Sequence, residues 1–436
     1  MRGGGSSAPA VVLRIVSVND VYSLANLPKL KTLLTEMAAK GEPADCVALA
    51  GDFVSPSTLS SLDSGAAMVD TLLGVGVTHV CFGNHEADLK LPTLEQRVDE
   101  FVAGGGVWLN SNIDDFPSTR TTKCATLRSR CGRARVGLLG VISDEDGMFR
   151  DGTFKGLEIS PVAPAVRSLA QRLDEIDALV CLTHQSIEND VELVDAYSNY
   201  VVAADVKADA GTEGLAQRLA PLALIIGGHE HEPMLLQGSS SQPGGDGAID
   251  DYYFEGELAG PGDVSSGGIE KEEVSSMGKM SSGNVDATAT AIVKTGSDAV
   301  RAAVATLTFR ATAADDAPLS LESVDVAFTE LAEFAPDAAL ESRVKQHMQL
   351  VESLASSVFV DVRRKVESLD PRQRQTSLGA LVASSIRDET GAGALVYFSM
   401  LLLLNSLAYF VKFIVLFWFR YCRVERCEFK GRCRVP

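Results

Sequence analysis

Polar residues able to bind metal ions follow five short apolar runs of this chain. The run VVLRIVSV is followed by Asn19 and Asp20, and CVALA is followed by Asp52. VTHVCF is followed by Asn84, His85 and Glu86. ALVCL is followed by His184, and ALII by His229, Glu230 and His231. Four of the six histidines fall at these positions. A single Asp after a strand is usually a turn or capping residue, but the repetition favours one shared site.

The residue types indicate the chemistry of that site. Asp, Asn and His suit borderline divalent ions such as Mn, Fe or Zn better than a thiolate site would. One carboxylate can bridge two cations, and a pair about 3.5–4 Å apart can share a hydroxide and clamp the attacking and leaving oxygens of a phosphoester. The pattern therefore predicts a dinuclear centre of two divalent ions (Mn, Zn, Fe or Mg) that hydrolyses phosphoesters through the bridging hydroxide.

The elements that must position these residues have an α/β pattern. Short β-rich runs alternate with helix-like segments such as 27–39 and 162–175 as far as about residue 235, which is typical of a layered α/β domain. In open α/β sheets, sites form at the carboxyl ends of the strands. Residues far apart in the sequence are therefore expected to converge there.

The charge of the chain limits its partners. Lys and Arg number 39 against 58 Asp and Glu, which gives a net charge of -19. Such a field repels nucleic-acid backbones, so we expect no nucleic-acid partner. Bound metal ions can create a local positive centre in an acidic protein, and a small phosphorylated molecule is therefore the expected substrate.

The blocks GDFVSPS, GNHEAD, LTHQSIEND and GGHEHEP resemble the signature blocks of the calcineurin-like metallophosphoesterases. GNHEAD, with ND near the start and VKTGSDA later, is similar to the 5'-nucleotidase branch, over about residues 11–235 and 291–310. The resemblance implies an α/β/β/α sandwich and the hydrolysis of nucleoside 5'-monophosphates. It also implies two metal positions, one formed by Asp20, Asp52 and His231 and the other by Asp52, Asn84, His184 and His229, with Asp52 bridging.

The pair His85 and Asp88 resembles the catalytic dyad of that family. In this interpretation His85 stabilises charge in the transition state and Asp88 orients His85. The alternative for Asp88 is a solvated carboxylate at the start of a helix. His79 and His347 lie outside the pattern, and we expect them to be structural.

Tyr22 departs from the family pattern, which usually has His two residues after the first Asp. Tyr22 can bind a metal as a phenolate, leave its coordination place to water, or pack. We expect packing or a role next to the ligands. The first metal position should then be weaker or differently selective.

The chain is expected to divide into a catalytic domain, 8–312, and a partial 5'-nucleotidase C-terminal domain, 317–393. The expected fold is therefore the α/β/β/α sandwich followed by a truncated C-terminal α/β segment and a C-terminal apolar helix. Residues 238–289 form an acidic Gly/Ser-rich insertion with too few apolar residues to fold. The block RQRQTSLGALVASSIRDETGAGA resembles the start of the second domain, although Gln375 and Ala380 replace the usual Glu and Asn and an NGG-type block is missing.

The C-terminal composition changes abruptly. Residues 394–419 hold a single charged residue before the basic tail 420–436, so this stretch is long enough to cross a bilayer. A single-pass membrane anchor is expected here if the segment is genuine, and a cytoplasmic protein if the segment reflects a faulty gene model. The basic flank after the apolar stretch would normally mark the cytoplasmic side. A tail-anchored topology would instead place the large domain in the cytosol, so these two indications of orientation disagree. The N-terminal run 11–18 is better interpreted as a strand than as the core of a signal peptide.

Three functions are compatible with these patterns. The first is a 5'-nucleotidase-like hydrolase, and the second is a membrane-tethered binding or scaffold protein that has lost turnover. The third is a hydrolase of phosphodiesters or other small phosphoesters, which an open site without a base clamp would admit. The His85 and Asp88 pair favours an enzyme, because a non-catalytic site has no chemical need for it.

Overall fold

The computed structural model describes residues 10–145, 147–149, 153–154, 156–209, 219–237, 283–286, 290–310, 319–356 and 380. The chain divides into two compact units, one of residues 1–55 and 66–345 and the other of residues 56–65 and 346–436. The apolar stretch 394–419 and the basic tail lie outside the described residues, as does nearly all of 357–393. Within the residues described, no helix is both long and apolar enough to span a membrane.

Two mixed β-sheets form the framework of the first unit. The first sheet has the order β10-β13-β12-β1-β2-β3-β4, with β1 Val11–Val18, β2 Cys46–Ala50, β3 His79–Cys81, β4 Val107–Leu109, β10 Gly283–Asp286, β12 Arg301–Arg310 and β13 Ser320–Glu330. The second has the order β5-β6-β7-β8-β11-β9, with β5 Cys124–Arg128, β6 Arg135–Ile142, β7 Ala178–His184, β8 Leu222–Gly228, β9 Pro233–Gln237 and β11 Ala291–Thr295. The predicted α/β class is confirmed.

The helices are α1 Leu27–Ala39, α2 Ser60–Asp63, α3 Ala66–Val75, α4 Leu91–Ala103, α5 Val162–Ala170, α6 Ile187–Asp209 and α7 Ala338–Ser356, with short 3₁₀ turns at Asn84–Asp88 and Leu331–Glu333. Alternate residues of both sheets, such as Leu13, Leu138 and Val180, share one buried cluster. The intervening residues of β6 and β7, such as Leu139 and Cys181, pack in a second cluster with α5 and α6. Layering of this kind matches the expected α/β/β/α sandwich.

The direction of the strands places the candidate residues. β1 pairs with β2 in parallel, β2 with β3 and β3 with β4, while β7 runs parallel to β6 and β8 in the second sheet. The carboxyl ends of neighbouring parallel strands meet at one edge of a sheet. The loops after β1, β2, β3, β7 and β8 carry the polar residues singled out in the sequence.

Two segments differ from the expectation. Residues 320–330, expected within the second domain, instead pair with β12, with one register shift between Thr308 and Phe309. Leu321, Val324 and Val326 are buried, and the alternation of buried and partly exposed residues from Val324 to Ala327 is that of a strand. Residues 283–286, expected within the unordered insertion, form the edge strand β10 on β13. Backbone pairing to an existing edge stabilises a strand that has few apolar residues of its own.

His79 is structural, as expected, and gives a testable pH dependence. Its Nδ1 lies 2.9 Å from Thr78 Oγ1, and burial lowers its pKa to about 4. In the unfolded chain His79 has a pKa of about 6.5, whereas in the folded chain it stays neutral down to about pH 4. The unfolding free energy is therefore at its full value above about pH 6.5 and falls as the pH is lowered towards about 4.

We therefore expect His79→Gln to lose less unfolding free energy than the wild type between about pH 7.5 and about pH 5. Urea denaturation at both pH values measures the difference. Equal losses in the two proteins would contradict the assignment.

Candidate metal centre

The backbone turns sharply where β1, β2 and β8 end. Asp20, Asp52 and His229 have φ values of 52°, 56° and 83°. Residues other than glycine rarely adopt this left-handed conformation, which costs about 1–3 kcal/mol and clusters at functional sites. Three of the predicted ligands are therefore held in conformations that the surrounding structure must stabilise.

The strand ends also approach one another unusually closely. A Cβ atom on Gly228 would collide with the carbonyl oxygen of Ala50 and with the ring of His184, and one on Gly83 would collide with the carboxylate of Asp52. Only glycine permits this approach. The close contact brings ligands from both sheets within reach of one centre.

Asp20, Asp52 and His184 form the core of the site. All three are buried, and one potential ligand atom from each lies within 4.8 Å of the others. Asp52 Oδ2 is 3.3 Å from His184 Nε2. Two buried carboxylates require compensating positive charge, and a divalent cation fits this donor set.

The orientation of His184 supports the same interpretation. Its Nδ1 donates a hydrogen bond to the carbonyl of Ala50 at 2.9 Å, which leaves Nε2 facing Asp52 and Asn84 Oδ1, the latter at 3.0 Å. In the neutral ring, Nε2 and both oxygens offer only lone pairs. Burial opposes protonation of His184, but the carboxylates of Asp52 and Asp20 raise its pKa to about 10. This point therefore attracts positive charge, and a bound cation would satisfy all three atoms.

The rings of the two histidines after β8 contact different members of this core. His231 Nε2 is 3.4 Å from Asp20 Oδ1, and more than half of the His231 side chain is exposed. The backbone N–H of His229 donates to Asp20 Oδ2 at 2.9 Å, and its ring packs edge-on against His184 with centroids 5.7 Å apart. The structure thus brings His231 to the Asp20 side and His229 to the His184 side.

Tyr22 points into the site. Its hydroxyl oxygen lies 3.1 Å from Asp20 Oδ1, 3.1 Å from Asp52 Oδ2 and 3.2 Å from His231 Nε2. Burial, followed by the charges of Asp52 and Asp20, raises the pKa of Tyr22 well above its usual value. The side chain does not simply pack beside the ligands, since its polar atom lies among theirs.

His85 and Asp88 form a direct pair. The 3₁₀ turn Asn84–Asp88 places His85 Nδ1 2.9 Å from Asp88 Oδ2, with Asp88 only 9% exposed and His85 25% exposed. Ser55 Oγ also donates to Asp88, at 3.3 Å. Burial opposes charging of His85, but Asp88 and Asp52 raise its pKa. Asp88 is therefore not a solvated helix-start carboxylate, and it orients the His85 ring.

Glu86 contributes a contact that the sequence reasoning did not assign. Its fully buried carboxylate accepts backbone hydrogen bonds from Gly83, Asp52, Phe53 and Val54. Burial and the charge of Asp52 raise its pKa to about 7, against the effect of these N–H groups. Glu86 holds the loop in which Asp52 adopts its left-handed conformation. The only signal in the sequence was an acidic residue directly after His85.

Lys294 is a second residue that the sequence reasoning left out. Its buried ammonium group lies 2.9 Å from Asp190, pairs with Glu230, and donates to the carbonyls of Gln185 and Gly228 at 2.8 Å each. The loop carrying His229 and His231 is thereby tied to the loop after β7. A lysine inside the apolar run AIVKT was the available signal.

The loop after β1 is fixed by the turn between β11 and β12. Asn19 Nδ2 donates to Asp20 Oδ2 at 2.8 Å and to the carbonyl of Gly296 at 2.9 Å. The carboxylate of Asp298 accepts from the backbone N–H groups of Tyr22 and Ser23, both at 2.9 Å. Asp20 and Tyr22 are therefore held on a rigid support.

Lys294→Met should destabilise the protein by about 3–5 kcal/mol, because removing one partner of a buried ion pair leaves uncompensated charge, here on Asp190 and Glu230. Urea denaturation measures this loss. Lys345→Met is the matched control: it breaks the exposed pair with Glu341 and should cost less than about 0.5 kcal/mol. Similar losses in both variants would show that the buried network does not support the fold.

Residues 13–233 match the sequence model of the calcineurin-like phosphoesterase family. No curated protein matches the chain. Among solved structures, the chain is similar to the 5'-nucleotidase precursor of Thermus thermophilus, with a TM-score of 0.54 and 16% identity over 87% of this chain and 67% of that one. It is also similar to the NAD nucleotidase of Haemophilus influenzae, with a TM-score of 0.54 and 12% identity over 87% of this chain and 72% of that one.

At these identities the structural similarities show a shared fold alone. The family match is broader evidence, because it covers half of the chain and includes the buried cluster of Asp20, Asp52 and His184. The chain therefore belongs to the calcineurin-like phosphoesterase family.

Proposed function

We propose that this protein is a dinuclear metal-dependent phosphoester hydrolase that converts nucleoside 5'-monophosphates to nucleosides and phosphate. The observation that carries the proposal is the convergence of two buried carboxylates, Asp20 and Asp52, with His184 at the strand ends of a member of the phosphoesterase family. Buried charge of this kind is stable when it is paired with cations.

The family resemblance supplies two metal positions for this proposal. Asp20, Asp52 and His231 would hold one ion, and Asp52, Asn84, His184 and His229 would hold the other. Asp52 Oδ2 lies next to both His184 Nε2, at 3.3 Å, and Tyr22 Oη, at 3.1 Å, which suits a shared ligand. Bound divalent ions would supply positive charge to the phosphate oxygens and lower the pKa of the attacking water.

His85 would act on the substrate directly. Its Nδ1 is engaged by Asp88, so Nε2 is left for a phosphate or leaving-group oxygen. The raised pKa of His85 favours the protonated ring, which can donate a hydrogen bond or a proton to an oxygen that gains negative charge. Asp88 fixes the ring orientation and stabilises that charge.

The nucleotide preference is the finer part of the proposal. It is supported by the GNHEAD and VKTGSDA blocks and by the fold shared with two nucleotidases. The block RQRQTSLGALVASSIRDETGAGA, which resembles the start of the 5'-nucleotidase C-terminal domain, lies outside the described residues apart from Ala380. Substrate panels must therefore decide between nucleotides and other small phosphoesters.

Asp52→Asn should lower the rate of metal-dependent phosphate release by about 1,000-fold or more, because the substitution removes the negative charge of the ligand that both metal positions share. The assay uses nucleoside monophosphates, sugar phosphates and a phosphodiester, with Mn, Zn or Mg added. Asp99→Asn, which breaks an exposed pair with Arg120, is the matched control. Equal rates on all substrates would overturn the nucleotide preference, whereas no release by folded wild-type protein would favour the scaffold function.

Asp88→Asn should reduce kcat by about 10- to 100-fold. Asp88 acts through His85, and general acid catalysis by such a residue contributes about 100-fold or more to the rate of proton transfer. Metal content should stay unchanged. Ser55→Ala removes one hydrogen bond to Asp88 but keeps the carboxylate, so its effect should be smaller. A loss of bound metal in Asp88→Asn would place Asp88 among the residues that support the metal centre instead.

A further inference from the structure

Tyr22 has no part in the reaction steps proposed above, although its hydroxyl lies inside the metal centre. The oxygen is 3.1 Å from Asp20 Oδ1, 3.1 Å from Asp52 Oδ2 and 3.2 Å from His231 Nε2. Asp20 Oδ1 and His231 Nε2 are 3.4 Å apart. Tyr22 Oη therefore lies within 3.1–3.2 Å of one potential ligand atom from each of the three residues assigned to this position.

These separations match those of atoms that share one cation. Ligand atoms about 2.0–2.2 Å from an ion, at octahedral or tetrahedral angles, lie about 2.8–3.6 Å from their neighbours. All four distances fall inside that interval. Tyr22 Oη is thus close enough to all three atoms to serve as a further donor to the same ion.

The hydroxyl is held in this place from both ends of the residue. The backbone N–H of Tyr22 donates to Asp298, which fixes the loop. The ring makes edge contacts with His231, at 5.5 Å between centroids, and with His85, at 6.2 Å. A donor that is positioned before metal binding loses little entropy when the metal binds.

The two metal positions consequently differ in composition. The position at Tyr22 offers three oxygens, from Asp20, Asp52 and Tyr22, and one imidazole nitrogen, from His231. The position at His184 offers two oxygens and two imidazole nitrogens. Oxygen ligands suit Mg and Mn, whereas imidazole suits Zn, Fe and Ni.

We propose that Tyr22 makes the two metal positions unequal, so that the oxygen-rich position at Asp20, Tyr22 and His231 accepts Mn²⁺ in competition with Zn²⁺ more readily than the position at His184 does. The inference rests on the proposed function, because it assumes that both positions bind metal. It assigns a mixed-metal centre to this chain and makes Tyr22 the residue that determines it.

The test is metal content rather than activity. Metal-free protein is dialysed against a series of Mn²⁺:Zn²⁺ ratios, from equal concentrations to a large excess of Mn²⁺, and analysed by plasma mass spectrometry, while the Mn²⁺ signal is followed by electron paramagnetic resonance. As the Mn²⁺ excess rises, the wild type should replace one equivalent of Zn²⁺ with Mn²⁺ and keep the other. Tyr22→His, which adds a second imidazole, should keep two equivalents of Zn²⁺ at the same ratio.

Tyr22→Phe keeps the ring but removes the oxygen, so it should bind Mn²⁺ more weakly by about 10-fold or more, the lower range for loss of a group that supports a metal site. Its Zn²⁺ content should remain one equivalent. Tyr200→Phe removes a phenol that bonds Gln171 and is not among the proposed ligands, so it should leave both metals unchanged. Circular dichroism checks that each variant is folded.

The outcomes separate this inference from the proposed function. Two equivalents of zinc in the wild type at every Mn²⁺:Zn²⁺ ratio, or identical metal contents in the wild type, Tyr22→His and Tyr22→Phe, would overturn the role of Tyr22 and leave the dinuclear centre intact. Folded wild-type protein that binds neither metal, with Asp52→Asn indistinguishable from it, would overturn the proposed function itself.

Discussion

The structure depends on the burial of two carboxylates, Asp20 and Asp52, at the ends of neighbouring parallel strands. Both lie in left-handed backbone conformations and are almost fully removed from solvent, an arrangement that is unfavourable without nearby cations or donors. His184, His231 and backbone N–H groups provide part of this compensation. The remaining lone pairs face one another, which is the condition under which a divalent ion stabilises both the site and the fold.

A shell of buried polar contacts keeps this unfavourable arrangement in place. Glu86 binds the backbone around Asp52, Lys294 joins the loops after β7 and β8, and Asp298 holds the loop after β1. Each contact links residues that are distant in sequence but adjacent at the strand ends. The candidate ligands are therefore positioned by the meeting of two sheets rather than by any single loop, and changes in this shell should alter the candidate site without touching a proposed ligand.

The predicted strands and the convergence of the ligands followed from local pattern and one topological rule. β-rich runs ending in Asp, Asn or His identified β1, β2, β3, β7 and β8, and parallel strands end at a common edge. Ser320–Glu330 was missed because its alternating pattern is weak beside the charged residues that interrupt it, and pairing with β12 determined its structure. Gly283–Asp286 likewise became a strand through an available sheet edge.

The sequence by itself determined which chemistry is available: carboxylates, an amide and imidazoles in the order of a phosphoesterase, in an acidic chain where bound cations can create a local positive centre. Only the tertiary structure decided which atoms meet. It placed the Tyr22 hydroxyl among three candidate ligand atoms, buried Asp88 against His85, and gave Glu86 and Lys294 their supporting roles. The His85–Asp88 pair lies within one 3₁₀ turn. The contacts of Tyr22 with His231, of Glu86 with Asp52 and of Lys294 join loops of different strands, and no spacing along the chain encodes the distance between them.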